Sequence, residues 1–288
     1  MFARRQRILF LLPFALIVIP FMIWPALFGL IASFTNYVPF QQTPVRFIGL
    51  TNYANVLKNV DFQAAIRNIV VFTSVTVLAE LIIGIAVAYT LRESFRGRSI
   101  VRFVLLIPWL LSPIANGVMW HYILNTDSGL LNFWPALFGL PRLPSPLNID
   151  LALLTVMTID VWRKAPLVIF LVLPGILAIP AAQWDLAELE GMHTLTRLRQ
   201  IVLPRLRLLL LTIALLLVGD ALGTSDGVLI LTGGGPGSET MTPGLFSYRH
   251  AFQIYDWQAG ATSAWLIALA IVLVGVCYVM LTRREAVI

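Results

Sequence analysis

Asp160-Val161-Trp162-Arg163-Lys164-Ala165-Pro166 places an acid, an aromatic ring and two bases within five positions of an otherwise apolar segment. Charge inside a hydrocarbon layer is costly, so ionisable residues at that depth are candidates for function. Asp160, Arg163 and Lys164 can hydrogen-bond hydroxyls or hold an anionic group, and Trp162 offers a face on which a sugar ring can stack. Pro166 removes a backbone hydrogen bond and is expected to kink or open the helix onto a cavity. The competing reading is that the segment starts later and these side chains snorkel at an outer interface. Asp220, with Thr224, Ser225 and Asp226 just beyond it, forms a second polar group. Glu80 is a third: it can pair with Arg163 or Lys164 across a bundle, or make a helix–helix hydrogen bond without a transport role.

Leu231-Thr232-Gly233-Gly234-Gly235-Pro236-Gly237 raises phosphate binding as a further chemistry. A phosphate-binding loop of the G-x-x-x-x-G-K-[ST] type needs a lysine to reach the terminal phosphates. The chain has two lysines, Lys58 and Lys164, and neither follows a glycine-rich run. No ATP site is expected in this chain. His121, His193 and His250 share no metal-ligand spacing, so no metal site is expected. No nucleophile–base arrangement is apparent, and the lone Cys277 excludes an internal disulfide.

The elements that must position these residues are set by hydropathy. Of the 288 residues 59% are hydrophobic and 12% charged, which is too few charges to cover a soluble domain of this size. Apolar stretches long enough to cross about 30 Å of hydrocarbon predict an all-α, polytopic membrane protein with six spans, near 8–33, 68–91, 100–124, 151–177, 206–231 and 260–281. The first follows Arg4, Arg5 and Arg7 but is too long for a signal peptide, so it reads as a retained span. Thirteen of the twenty basic residues fall at the termini, in the 92–102 turn and in the 180–207 stretch, whereas five lie in the opposite loops. The richer side is expected to be cytoplasmic, with both termini there. That asymmetry explains the net charge of +6 and excludes a nucleic-acid footprint. It also puts the glycine-rich run on the outer side, away from cytoplasmic ATP, as a tight turn with little side-chain bulk.

The segment 180–204 is elaborate for a connector. It reads as a short helix begun by Pro180 and stopped near Gly191, then a second helical stretch ending before Pro204. Asp185, Glu188 and Glu190 crowd its first part, and Arg197, Arg199, Arg205 and Arg207 follow. An amphipathic helix lying on the membrane surface is the alternative on physics alone. Gly191, Ile201, Leu203 and Pro204, with Asp185-Leu186-Ala187 ahead of them, resemble the EAA loop of binding-protein-dependent ABC importer permeases, with one extra residue of spacing. Leu231-Thr232-Gly233-Gly234-Gly235-Pro236, then Tyr248, Ala251-Phe252 and Gly260, resemble the maltose-type first permease of sugar importers. Phe47-Ile48-Gly49-Leu50-Thr51-Asn52-Tyr53 and Asn68 are similar to the same family near its N-terminus.

The resemblance covers nearly the whole chain and implies one six-helix permease domain in a bacterial or archaeal plasma (inner) membrane. By that likeness Asp185, Ala187, Glu188, Glu190, Gly191, Ile201, Leu203 and Pro204 would couple to a cytoplasmic ATPase dimer, which would carry the ATP and magnesium. Gly233, Gly234, Gly235 and Pro236 would meet an extracytoplasmic solute-binding protein, and a second homologous permease would complete the pathway within the lipid. Relatives commonly carry an aromatic before the position of Asp226, where this chain has Ser225. The cargo implied is a sugar or sugar-like solute, with an anionic solute such as a sugar phosphate as the alternative. An ion-coupled secondary transporter is a more distant one, for which no internal repeat is seen.

Overall fold

Prolines and glycines interrupt the apolar stretches, and these breaks shape the bundle more than the spans do. The computed structural model describes residues 13–14, 16–39 and 44–283. The start of the first expected span and its preceding arginines lie outside the described residues. Among the described residues the fold is all-α, with one isolated β-bridge between Thr35 and Phe47.

The helices are α1 (Leu16–Ser33), α2 (Thr51–Lys58), α3 (Val60–Thr90), α4 (Arg98–Leu110), α5 (Pro113–Leu124) and α6 (Leu130–Leu137). They continue as α7 (Ala152–Leu177), α8 (Ala181–Leu189), α9 (Thr194–Leu222), α10 (Asp226–Leu231), α11 (Pro243–Phe252) and α12 (Trp257–Arg283). Four of these are long and apolar enough to cross a membrane, or up to six if each sharply bent pair counts as one span.

The expected third span, 100–124, is two helices, α4 and α5, bent by 96°. Pro113 is the cause: it biases Ser112 to extended backbone, φ −62° and ψ 151°, and Ser112 then caps α5 by accepting from the Ala115 amide at 3.2 Å. The expected fifth span, 206–231, also differs. Its helix begins earlier, at Thr194, ends at Leu222, and resumes as α10 after a break at residues 223–225. Pro204 therefore lies within a helix rather than beyond its end. The missing amide is absorbed by a π-turn over Leu198–Val202, in which Leu203 donates back to the Leu198 carbonyl. Pro25 in α1 is preceded by the same device over Ile19–Ile23. Pro166, in contrast, does not interrupt α7.

α3 and α7 pack along their lengths, closest where Gly84 faces Val168 and leaves no room for a side chain. The buried apolar residues form two clusters. One joins Phe62, Phe72, Val156, Ile159, Val228 and Phe246. The other joins Val77, Val168, Val172, Ile176, Val202 and Ile213. In α3, α7 and α9 the charged residues Glu80, Asp160, Lys164 and Asp220 fall near the boundary between the clusters. Two apolar layers thus enclose a polar seam.

Candidate functional site

The seam centres on Lys164, which is 4% exposed. Its Nζ lies 2.8 Å from Asp160 Oδ2, one turn earlier on α7, and 2.5 Å from Asp220 Oδ2 on α9. Arg163 Nη2 reaches Asp160 Oδ1 at 3.4 Å. The i,i+4 spacing puts Asp160 and Lys164 on one face of α7, and Asp220 arrives from the last turn of α9. Asp160 and Lys164 are buried and paired rather than snorkelling, whereas the Asp220 side chain is 61% exposed. Glu80, 1% exposed, forms no ion pair with Arg163 or Lys164, and its Oε1 has no hydrogen-bond partner.

Beside this cluster lies a cavity of about 140 Å³. It is lined by Asn116, Asp160, Arg163 and Asp220, and by Thr224, Ser225 and Asp226. Two helix breaks create it: the α4–α5 break brings Pro113 and Asn116 to its wall, and the α9–α10 break brings residues 223–226. Ser225 Oγ donates to Asp226 Oδ1 at 2.9 Å. Asn116 is 4% exposed, and its Oδ1 is buried without a hydrogen-bond partner, so this wall residue carries an unspent acceptor. Sequence reasoning passed over Asn116, although an amide within the apolar run Pro113–Met119 was the available signal.

Trp162 does not join this group. It lies on another side of α7, edge-to-face with Trp120 at 5.4 Å between centroids, in a separate groove with Leu154 and Thr158. Stacking on a solute held beside Asp160 is therefore not available to it.

The glycine-rich run is an internal fastening. Gly233, Gly234 and Gly237 all have positive φ. A side chain on Gly234 would meet Met241 Cε at 2.9 Å and Leu245 Cδ2 at 3.1 Å. Thr240 Oγ1 donates to the Gly235 carbonyl at 2.8 Å. Asn68 on α3 ties the loop down by donating to the Ser238 and Met241 carbonyls at 2.8 and 3.1 Å. Gly234 is buried, Gly233 is exposed, and Gly235 and Pro236 are half-buried. The Phe47–Tyr53 stretch is fastened similarly: Asn52 donates to the Ser33 and Thr35 carbonyls, and Tyr53 bonds Ser33.

At the other end of α7, the turn after α8 closes on Gly191 at φ +66°. The Gly191 amide donates to Glu188 O at 3.0 Å and the Met192 amide to Ala187 O at 2.9 Å, a Schellman closure that needs a left-handed residue. Ala187 is the buried residue of α8, while Asp185, Glu188, Glu190 and Gly191 are exposed and Leu189 is 86% exposed. Ile201 is half-buried, and Leu203 and Pro204 are exposed on α9. The expected coupling residues are thus split between α8, its closing turn and the first turns of α9.

A family model described as "Binding-protein-dependent transport system inner membrane component" matches residues 80–284. The trehalose/maltose transport permease MalF of Thermococcus litoralis is 30% identical over 279 residues, 96% of this chain and 92% of that protein. A probable ABC transporter permease, y4oQ, of Sinorhizobium fredii is 30% identical over 76% of this chain and 71% of its own length. The trehalose permease SugA of Mycobacterium tuberculosis is 24% identical over 98% of this chain and 90% of that protein. In structure, a chain of a bacterial ABC transporter for the import of alginate superposes with a TM-score of 0.83 at 18% identity, covering 98% of this chain and 96% of the other.

Proposed function

Because this chain belongs to the family of binding-protein-dependent transport inner-membrane components, we propose that it forms half of the pathway by which an ABC importer moves a sugar or sugar-like solute into the cytoplasm. Relatives that carry sugar-transport names along nearly their whole length support the cargo class. The observation that carries the reading is the cavity where two interrupted helices meet. Broken helices expose backbone and polar side chains at membrane depth, which is tolerated where they line a water-filled path. Asn116, Thr224, Ser225 and Asp226 offer an amide, two hydroxyls and a carboxylate, which suit a polyhydroxylated solute.

The remaining parts belong to the same proposal. One such subunit supplies one wall of a path, so a second homologous permease would supply the other. Energy would come from ATP and magnesium in a cytoplasmic ATPase dimer docked below α8. Solute would be delivered by an extracytoplasmic binding protein approaching the outer loops, with both termini of this chain in the cytoplasm. ATP favours the closed ATPase dimer, and that preference biases the permease pair toward the state open to the binding protein.

An anionic cargo is less well supported than the sequence suggests. Lys164 is occupied by Asp160 and Asp220, Arg163 is engaged by Asp160, and Asp226 adds a carboxylate to the cavity. The test is ATP-dependent uptake by the reconstituted complex with trehalose, maltose and an alginate oligosaccharide as probes. Neutral disaccharides are expected to be taken up and Asn116→Leu to lower that uptake by about tenfold, the worth of one well-made hydrogen bond. Uptake driven by an ion gradient without the ATPase would overturn the proposal.

A further inference from the structure

α8 packs loosely on the bundle, facing the start of α9 across a groove lined by Leu186, Ala187 and Ile201. Leu186 and Leu189 are exposed, and within α8 it is Ala187 and Trp184 that turn toward the protein. Trp184 meets the buried ring of Tyr89, in the last turn of α3, at 6.1 Å between centroids. The guanidinium of Arg92 closes this contact. Its Cζ lies 3.9 Å from the Trp184 ring centre and 4.4 Å from that of Tyr89. Arg92 Nη1 is buried with no hydrogen-bond partner, while Nη2 reaches Glu93 at 3.4 Å. The buried side of the guanidinium is thus held by two aromatic faces. A planar, weakly hydrated cation suits such a site.

We propose that Arg92 is a positioning residue that clamps α8 to the cytoplasmic end of α3, so that the two move as one body. The proposal rests on reading α8 as the element that meets the ATPase. α8 is joined to α7 by residues 178–180 and to α9 by residues 190–193, and side chains that bind it to α3 add a third route for displacement to reach the membrane helices. α3 is the useful recipient, because it packs along α7 and so leads to the Lys164 cluster. Arg92 belongs to the basic 92–102 turn, whose charges orient the chain in the membrane, and the clamp gives this one arginine a second task.

The test is a distance measurement between spin labels at Ala86→Cys on α3 and Ala182→Cys on α8, in a Cys277→Ser background. It is made on the full permease alone and in complex with the ATPase, with and without ATP–magnesium. The native clamp is expected to give one narrow distance that nucleotide does not change. Arg92→Ala is expected to broaden it and make it nucleotide-dependent, and Arg92→Lys, which keeps a cation over the rings, to narrow it again. Trp184→Leu severs the clamp from the opposite side, so loss of fold in one variant leaves the test intact. A narrow, nucleotide-independent distance in folded Arg92→Ala or Trp184→Leu overturns the proposal. Leu189→Arg tests the underlying reading separately. Loss of ATPase co-purification supports it, and retention overturns it while the distance in the permease alone still reports on the clamp.

Discussion

Lys164 shows how far a residue's neighbours decide its role. As one of two bases beside an acid it reads as a hook for an anion, but in the fold its ammonium is shared between Asp160 and Asp220. Removing one partner of a buried ion pair leaves the other charge uncompensated, which costs more than the pair itself contributes. Lys164→Met leaves Asp160 with Arg163 alone and is expected to destabilise the protein by about 3 kcal/mol at most, measured as earlier thermal unfolding in detergent. Asp160→Asn combined with Lys164→Met should recover part of that loss. If the double variant unfolds no later than the single one, Asp160 is not the stranded charge. Gly191 and Gly234 make the complementary case. Their residue type is set by backbone angle and, at Gly234, by the closeness of Met241, before any question of partner proteins arises.

Helices in this chain are defined by how they handle proline. Pro113 breaks a span because the residue before it goes extended and a serine caps the new start. Pro204 and Pro25 are carried through by π-turns, and Pro166 by α7 without interruption. The difference is not legible from the proline alone; it depends on whether neighbouring helices hold the segment straight. α7 is held by α3, and Gly84 sets their approach. Gly84→Leu would force its side chain into Val168, and overpacking of this kind costs roughly 2 kcal/mol. The expected result is a lower melting temperature in detergent, and an unchanged one would mean that α3 and α7 can separate without loss.

Across the whole molecule, two apolar clusters enclose a polar seam, and the ends of the bundle have different characters. One end carries the fastened glycine loop and the 125–151 connection; the other carries the basic turn, α8 and its exposed leucines. Basic residues concentrate at the second end, which the positive-inside rule assigns to the cytoplasm. With Cys277→Ser as background, Asp127→Cys is expected to react with a membrane-impermeant maleimide in right-side-out vesicles. Glu188→Cys should react only in inverted ones. The opposite pattern would reverse the orientation.

The amino-acid order alone determined the class, the approximate spans, the charge asymmetry and the family likeness. Each depends on composition or on short patterns such as Gly191 with Ile201, Leu203 and Pro204, and a one-dimensional pattern carries that information whole. It also marked Asp160, Lys164, Asp220 and Glu80 as charges within apolar spans, because a charge in an apolar run is conspicuous wherever it points. Tertiary structure decided which of them meet. Lys164 and Asp220 are 56 positions apart in sequence, and only the packing of α7 and α9 brings them together while keeping Glu80 near them but out of ion-pair reach and turning Trp162 away. The cavity was likewise invisible in advance. It exists where two helix breaks coincide in space, and sequence periodicity says where a helix is apolar but not which other helix its interruption will face.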